Sequence, residues 1–167
     1  MSARVTPALR PMLPADAPAL AAIFRASIAE LTAEDYSPEQ QAAWMSAADD
    51  EEAFAARLAK DLTLIATIAR EPAGFASLKG TDRIDMLYVH PRAVRQGVGK
   101  ALCDALELLA ASRNATAITV EASDTAQEFF TRRGYTAVQR SLVMINGEAL
   151  GNVSMKKPLP ARTGTLQ

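Results

Sequence analysis

Residues 83–102, RIDMLYVHPRAVRQGVGKAL, constrain the fold of this chain more than any other stretch. An apolar run with strand character stops at His90-Pro91, and a helical pattern follows that carries Val98, Leu102, Ala105, Leu106 and Leu109 on one face. At the junction Gly97 and Gly99 stand one residue apart, with Arg95 before them and Lys100 after. Lacking side chains, the glycines leave the first-turn amides of the helix open to approach, and the positive end of the helix dipole lies at the same place. Such a junction can bind a pyrophosphate, with Arg95 and Lys100 adding charge. The competing reading is that the glycines only relieve helix–strand crowding and the basic side chains are solvated.

Spacing narrows the choice of anion. A phosphate loop of the Walker type needs a glycine five residues before Gly99 and a Ser or Thr after Lys100, where this chain has Val94 and Ala101. A dinucleotide fingerprint needs three glycines early in a parallel βαβ unit; here two glycines follow a strand that itself comes after a hairpin.

The flanking sequence alternates between helical and strand patterns. ALRPML reads as a first strand, and DAPALAAIFRASIAEL as a helix in which Leu20, Ile23, Phe24, Ser27, Ile28 and Leu31 recur at helical spacing, with Asp16 as its cap and Pro18 in its first turn. Ser37 and Gln40 form a capping box around Pro38 and open a second helix; DDEEAFAARLAKD is a third, with acids crowding its start. LTLIATIAR and GFASLKG, separated by EPA, read as a hairpin. After the central junction come a strand, TAITVEA, and a helix, DTAQEFFTRRG, that Gly134 terminates. YTAVQRSLVMI and ALGNVSMKKPL close the chain as two strands turning at Asn146-Gly147. We expect one domain over residues 1–157 and a flexible tail over 158–167.

Composition excludes several classes. At 167 residues and 49% hydrophobic the chain can bury one core, and its net charge of −1 supplies no basic field for nucleic acid or acidic membranes. The longest apolar run, LTLIATIA, is far short of the roughly 20 residues that span a bilayer, and the N-terminus lacks a basic segment followed by an apolar one. A single cysteine, Cys103, excludes an internal disulfide and reads as a small core residue. His90 is the only histidine, which leaves no metal site, and it stabilises the turn before Pro91. These features suit a cytoplasmic protein with neither nucleic-acid nor membrane partners; a homodimer stays open.

Two stretches together resemble a known family. MLYVHPRAVRQGVGKAL is similar to the acetyl-coenzyme-A-binding motif of the GNAT acetyltransferase superfamily, a strand ending in a proline turn before R/Q-x-x-G-x-G/A opens a helix. ITVEASDTAQEFFTRRGY resembles the second motif of that superfamily, and DYSPEQQAAW with IDMLYV resembles its YafP-like branch. The resemblance implies a mixed α+β fold: a largely antiparallel central sheet of about seven strands flanked by helices and splayed between the fourth and fifth strands. It implies an N-acetyltransferase that moves an acetyl group from acetyl-CoA, as co-substrate and without a metal, to the amine of a small molecule by direct attack in a ternary complex. Acetylation of a protein N-terminus or lysine, and a coenzyme-A-binding module without catalysis, are the alternatives.

By the same resemblance, the pantetheine arm lies between the splayed strands against Leu87, Tyr88 and Val89, and an amide near Leu87 holds the thioester carbonyl. Arg95, Gln96, Gly97, Val98, Gly99 and Lys100 grip the pyrophosphate, Ser123, Ala126 and Phe130 line the arm, and Arg132 reaches a coenzyme phosphate. Two positions depart from the family pattern: Val94 stands where many relatives have Arg or Gln, and Phe130 where many have a proton-donating tyrosine.

An attacking amine must lose its proton, which calls for a carboxylate or ordered water. Asp85, charged inside an apolar strand, is the first candidate base, against the alternative of an ion pair with Arg83 or another cation; Glu121 is the second, against that of a solvent-facing edge residue. Tyr88 is the candidate donor in place of Phe130, against a packing role. Tyr36 and Trp44 are the candidate substrate-binding residues, stacking on an aromatic or cationic acceptor; the alternative is that Trp44 plugs the core and Tyr36 staples the helix start.

Overall fold

The computed structural model describes residues 6–160. A seven-stranded sheet runs in the order β1 (Ala8–Pro11), β2 (Leu62–Ile68), β3 (Glu71–Lys79), β4 (Arg83–Val89), β5 (Ala117–Ser123), β7 (Glu148–Pro158), β6 (Thr136–Ile145). Every neighbouring pair is antiparallel except β4 and β5, which are parallel. Helices α1 (Ala17–Leu31), α2 (Pro38–Met45) and α3 (Glu51–Lys60) supply one layer, and α4 (Val98–Ser112) packs on the other face beside the short α5 (Gln127–Arg132).

Strand alternation divides the core between these layers. Ile65, Phe75 and Met86 turn toward Leu20, Phe24, Ile28, Phe54 and Leu58 of α1 and α3, while Leu64, Ala76, Leu78, Ile118 and Val120 turn toward Leu102 and Leu106 of α4. Each large aliphatic buried this way contributes about 2 kcal/mol. Cys103 is fully buried in the second core, and burial pushes its thiol up to about 12, which suits a small inert hydrophobe.

Local signals largely form as their chemistry predicts. Ser37 and Gln40 close their capping box, with bonds of 3.1 and 2.8 Å, and Asn146-Gly147 turns the last hairpin with both residues at positive φ. Three expectations change. The first hairpin turns at Ala69-Arg70, both left-handed, and the EPA residues belong to β3, so the turn is one residue shorter than the breaker residues suggest and begins two residues earlier. Asp16 precedes α1 without capping it, because its carboxylate takes both guanidinium nitrogens of Arg10 at 2.8 Å and the Leu13 N–H at 2.7 Å. At the other end β7 runs through Pro158, and the Leu159 N–H donates to Thr116 O at 2.9 Å; residues 161–167 lie outside the described residues.

Three tyrosine hydroxyls fasten elements across the fold. Tyr36, in the α1–α2 loop, donates to Gly151 O at 2.6 Å and accepts from the Asp124 N–H at 2.9 Å. Tyr88 of β4 accepts from Trp44 Nε1 at 3.1 Å, and Tyr135, just before β6, donates to Glu107 of α4 at 2.8 Å. Glu107 also meets Lys157 of β7 at 2.8 Å and Arg133 at 3.0 Å. Burial alone would push its carboxyl up, yet these three donors hold it below the ordinary carboxylate range. Close packing sets the height of α4: a Cβ on Gly74 would stand 2.6 Å from Val98 Cγ1 and 2.9 Å from Tyr88 O.

Replacing Glu107 with Ala leaves Arg133 and Lys157 with a missing partner, and the expected cost is about 3 kcal/mol in urea unfolding. Burial raises all three tyrosine hydroxyls from their ordinary value of 10, Tyr88 to about 12. The folded chain therefore holds protons that the unfolded chain releases, so stability is complete below pH 10 and falls as pH rises toward 12. Absorbance titration of tyrosinate is expected to show no transition near pH 10 in the native protein and the titration of all three tyrosines there in denaturant.

Candidate functional site

β4 and β5 pair only at Arg83↔Thr119 and Ile84↔Val120. Beyond that rung the strands part, because each follows the neighbour on its outer side: β4 stays paired with β3 to Val89, and β5 with β7 to Ser123. A register shift opposite Ser77 and Leu78 leaves Asp85 as the extra residue of a bulge at the fork. The opening widens into a cleft of about 560 Å³ that reaches from Gly97, Gly99 and Lys100 to Trp44 and Asp85.

One end of the cleft is built by the loop before α4. His90 Nδ1 accepts from the Arg92 N–H at 3.1 Å, a turn-stabilising contact, and the chain enters the helix through left-handed Arg95 and Gly97 at φ 65° and 79°. A Cβ on Gly97 would meet nothing within 4 Å, so its requirement is the backbone angle together with the open space before the helix amides. Gly99 answers the crowding alternative in part: a Cβ there would lie 3.2 Å from Phe129 Cζ, a ring of α5 instead of a strand. Arg95, Val98 and Lys100 line the cleft, and the Lys100 ammonium also pairs with Asp104 at 2.8 Å. Gln96 does not line it; its amide turns back to Arg92 O at 3.0 Å.

Along the prongs, Leu87, Tyr88 and Val89 face Ser123, Ala126 and Phe130 across the cleft. Ser123 Oγ accepts from the Ala126 N–H at 3.1 Å in the turn that precedes α5. Phe130 is buried between Phe129 and Tyr135, with centroids at 5.2 and 5.0 Å. Arg132 stands outside the cleft wall, exposed and paired with Glu128 one turn earlier.

At the far end Asp85 meets Arg57 of α3 at 3.1 Å, so the ion-pair alternative is realised with a cation other than Arg83. Glu121 lines the cleft and accepts from Ser154 Oγ at 2.7 Å; it is exposed, as the solvent-facing alternative has it, but on an inner strand and not on an edge. Tyr88 has the packing role, with ring centroids 4.7 Å from Phe24 and 5.7 Å from Phe75, and also lines the cleft with its hydroxyl raised to about 12 by burial. Trp44 and Tyr36 separate: the indole lines the cleft, whereas Tyr36 is buried outside its wall with both hydroxyl functions used by backbone. The rings pack edge to face at 5.3 Å, so Tyr36 supports Trp44 and does not form an open stacking surface with it.

Several lining residues escape a reading of the sequence. Ser27, Ile28 and Leu31 of α1, with Thr32 just past its end, line the cleft, and their spacing is that of ordinary core packing. Phe129 lines the cleft beside Phe130 with nothing in the pattern to distinguish the two. Among the described residues, no group of three or more His, Cys, Asp or Glu side chains is arranged to hold a metal.

Comparison with known proteins agrees with this architecture. The sequence profile of the acetyltransferase (GNAT) domain matches residues 32–157. A relative described as the uncharacterized N-acetyltransferase YafP of Escherichia coli (strain K12) is 35% identical over 148 residues, 89% of this chain and 93% of that one. A crystal structure described as a GCN5-related N-acetyltransferase, aminotransferase class-II, from Rhodopseudomonas palustris is 62% identical with a TM-score of 0.93, over 95% of this chain and 99% of that one. The PaiA N-acetyltransferase of Thermoplasma acidophilum, solved in complex with coenzyme A, shares the fold at a TM-score of 0.75 and 17% identity, over 92% of this chain and 99% of that one. A profile spanning both prongs of the fork, and relatives alike along nearly their whole lengths, make this chain a member of the GNAT acetyltransferase superfamily, on its YafP-like branch.

Proposed function

We propose that the protein transfers an acetyl group from acetyl-CoA to the amine of a small molecule, the amine attacking the thioester directly while both are bound. The observation that carries this reading is the continuity of one cleft, from the open N-terminus of α4 to the fork beside Asp85 and Trp44. Coenzyme A needs an anion site for its diphosphate and a polar slot for its amide-bearing arm. Gly97, with open space before it, Arg95 and Lys100 suit the first, and the unpaired inner edges of β4 and β5 suit the second.

The bound co-substrate supplies an activated acetyl thioester; the chain supplies placement and proton handling. Amides of β4 near Leu87 hold the carbonyl, and a donor aimed at the developing oxyanion contributes about 3 kcal/mol to the transition state. Ser123, Ala126 and Phe130 wall the arm. Asp85 takes the proton of the incoming amine, and Arg57, half exposed on α3, is the cation that the acceptor displaces. Tyr88 holds its proton throughout the neutral range, since burial raises it to about 12, and donates it toward the leaving sulfur in place of Phe130. Trp44 flanks the acceptor. The roof over the acceptor end, Ile28 and Leu31 of α1 with Trp44, favours a small molecule over a protein chain.

Two measurements test this reading. Calorimetry with acetyl-CoA is expected to show binding by the native protein and its loss in Gly97→Glu, whose carboxylate would occupy the phosphate space; unchanged affinity removes the loop from the site. Thiol release across a panel of amines, peptides and aminoglycosides then separates enzyme from binding module, with turnover on small amines expected. In the same assay Asp85→Asn is expected to lower kcat at neutral pH at least about tenfold, the low end of general-base effects being larger still, and to recover at alkaline pH where the free amine predominates. An intact rate at neutral pH clears Asp85 of the base role.

A further inference from the structure

The two edges of the sheet are built differently. β1, at one edge, is four residues long, ends at Pro11 and carries Arg10 paired with Asp16, and each of these blunts an edge against further pairing. β6, at the other, runs for ten residues, all of them exposed from Thr136 to Met144. Val138, Leu142 and Met144 are 66, 73 and 67% exposed, and with Val143 they make up half of the large hydrophobic side chains that are exposed among the described residues. Scattered singly such residues are ordinary, but four on one strand form a patch. The single charge in β6, Arg140, is neutralised by Asp124 of its own chain at 3.1 Å. A bulge at Val138 breaks the ladder to β7 near its start, and from Gln139 to Ile145 the pairing is regular, so the opposite edge of β6 offers an unbroken row of backbone donors and acceptors.

An identical strand fits this edge. Two copies of β6 related by a two-fold axis normal to the sheet pair antiparallel, and the two sheets join into one. Residues directly opposite in such a pair share a face, so the axis passes through a residue and not between two. The midpoint of Thr136–Ile145 falls between Arg140 and Ser141. An axis at Arg140 would set two guanidinium groups opposite each other, which like charges disfavour. An axis at Ser141 places a small hydroxyl pair at the centre, Leu142 beside the aliphatic stem of Arg140 of the second copy, and Met144 beside Val138 of the second copy. The four apolar side chains leave roughly 400 Å² exposed, about half of the ~800 Å² per partner that a stable interface buries, and the free backbone edge with Thr136, Gln139 and Ser141 adds to it.

We propose that β6 is a homodimer interface, on which a second copy of this chain docks edge to edge about a two-fold axis at Ser141. No residue of β6 lines the cleft, so the interface is separate from the coenzyme and acceptor sites and stands independently of the transferase reading.

Sedimentation velocity of the native chain at micromolar concentration is expected to give twice the chain mass of 17.8 kDa. Leu142→Glu combined with Met144→Glu is expected to give the mass of a single chain with an unchanged circular dichroism spectrum, since both side chains are exposed in one copy. Leu108→Glu, on α4 and as exposed as Leu142 at 73%, is the control and is expected to stay dimeric. Ser141→Cys reads the register: Cβ atoms directly opposite lie about 5 Å apart, so mild oxidation is expected to cross-link the subunits of this variant and not those of Leu108→Cys. The native Cys103 is fully buried and does not compete. A monomeric native chain, which would leave β6 to some other protein, overturns the proposal, and so does a dimer that survives the paired glutamates. Loss of the dimer with the glutamates but no cross-link in Ser141→Cys overturns the edge-to-edge pairing about Ser141.

Discussion

The opening between β4 and β5 is the constraint on which the rest of the structure depends. A sheet normally continues its hydrogen-bond ladder, and buried backbone groups left without partners cost about 1–3 kcal/mol each. Here the ladder ends after Ile84↔Val120 while both strands continue, each committed to its outer neighbour. The inner edges therefore keep their donors and acceptors free for water or for an extended, amide-bearing ligand laid between them as a strand would be. An arm with peptide-like groups fits that slot for the same reason that an added strand fits a sheet edge.

Holding the prongs apart falls to packing on both faces. Val98 seats on Gly74, so α4 presses close against β3 and β4, while Phe129 closes on Gly99 and keeps α5 beside the first turn of α4. Behind these contacts, Glu107 gathers Arg133, Tyr135 and Lys157, and so ties α4 to the start of β6 and to β7. On the other face Tyr36 fastens the α1–α2 loop to β5 and β7, and Trp44 is thereby set against Tyr88. The functional groups stand on elements whose positions are fixed from outside the cleft, which is what placement within an ångström demands.

What the sequence discloses follows the range of the interactions. The glycine-opened helix, the capping box at Ser37, the Asn146-Gly147 turn and the strand alternation are set by residues within one or two turns of one another, and they form as their chemistry predicts. Ala69-Arg70 fails that test because the turn is imposed by the register of β2 on β3 and contains neither glycine nor asparagine. The site divides in the same way. The glycine loop that opens α4 is one contiguous segment and its geometry is legible, whereas the partner of Asp85 lies 28 residues away and the carbonyl partner of Tyr36 lies 115 residues away, so no spacing rule announces either. Tyr36 reads as a substrate residue for that reason: its aromatic character is visible, and its occupied hydroxyl is not.

The proton inventory of the cleft shows how the chain can lack the usual tyrosine. Phe130 is sealed between Phe129 and Tyr135, where a hydroxyl would need a partner of its own, so the phenyl ring is the cheaper occupant of that space. Tyr88, on the other prong, accepts from the Trp44 indole at 3.1 Å, and this leaves its single proton uncommitted to Trp44. An indole can only donate, so the direction of that bond is fixed by chemistry. The arrangement keeps a donor at the cleft wall, and burial guards its neutral form. Asp85 stands on the same strand three residues earlier, so the base and the acid of the proposed mechanism are both carried by β4, and the spacing between them is set within one strand.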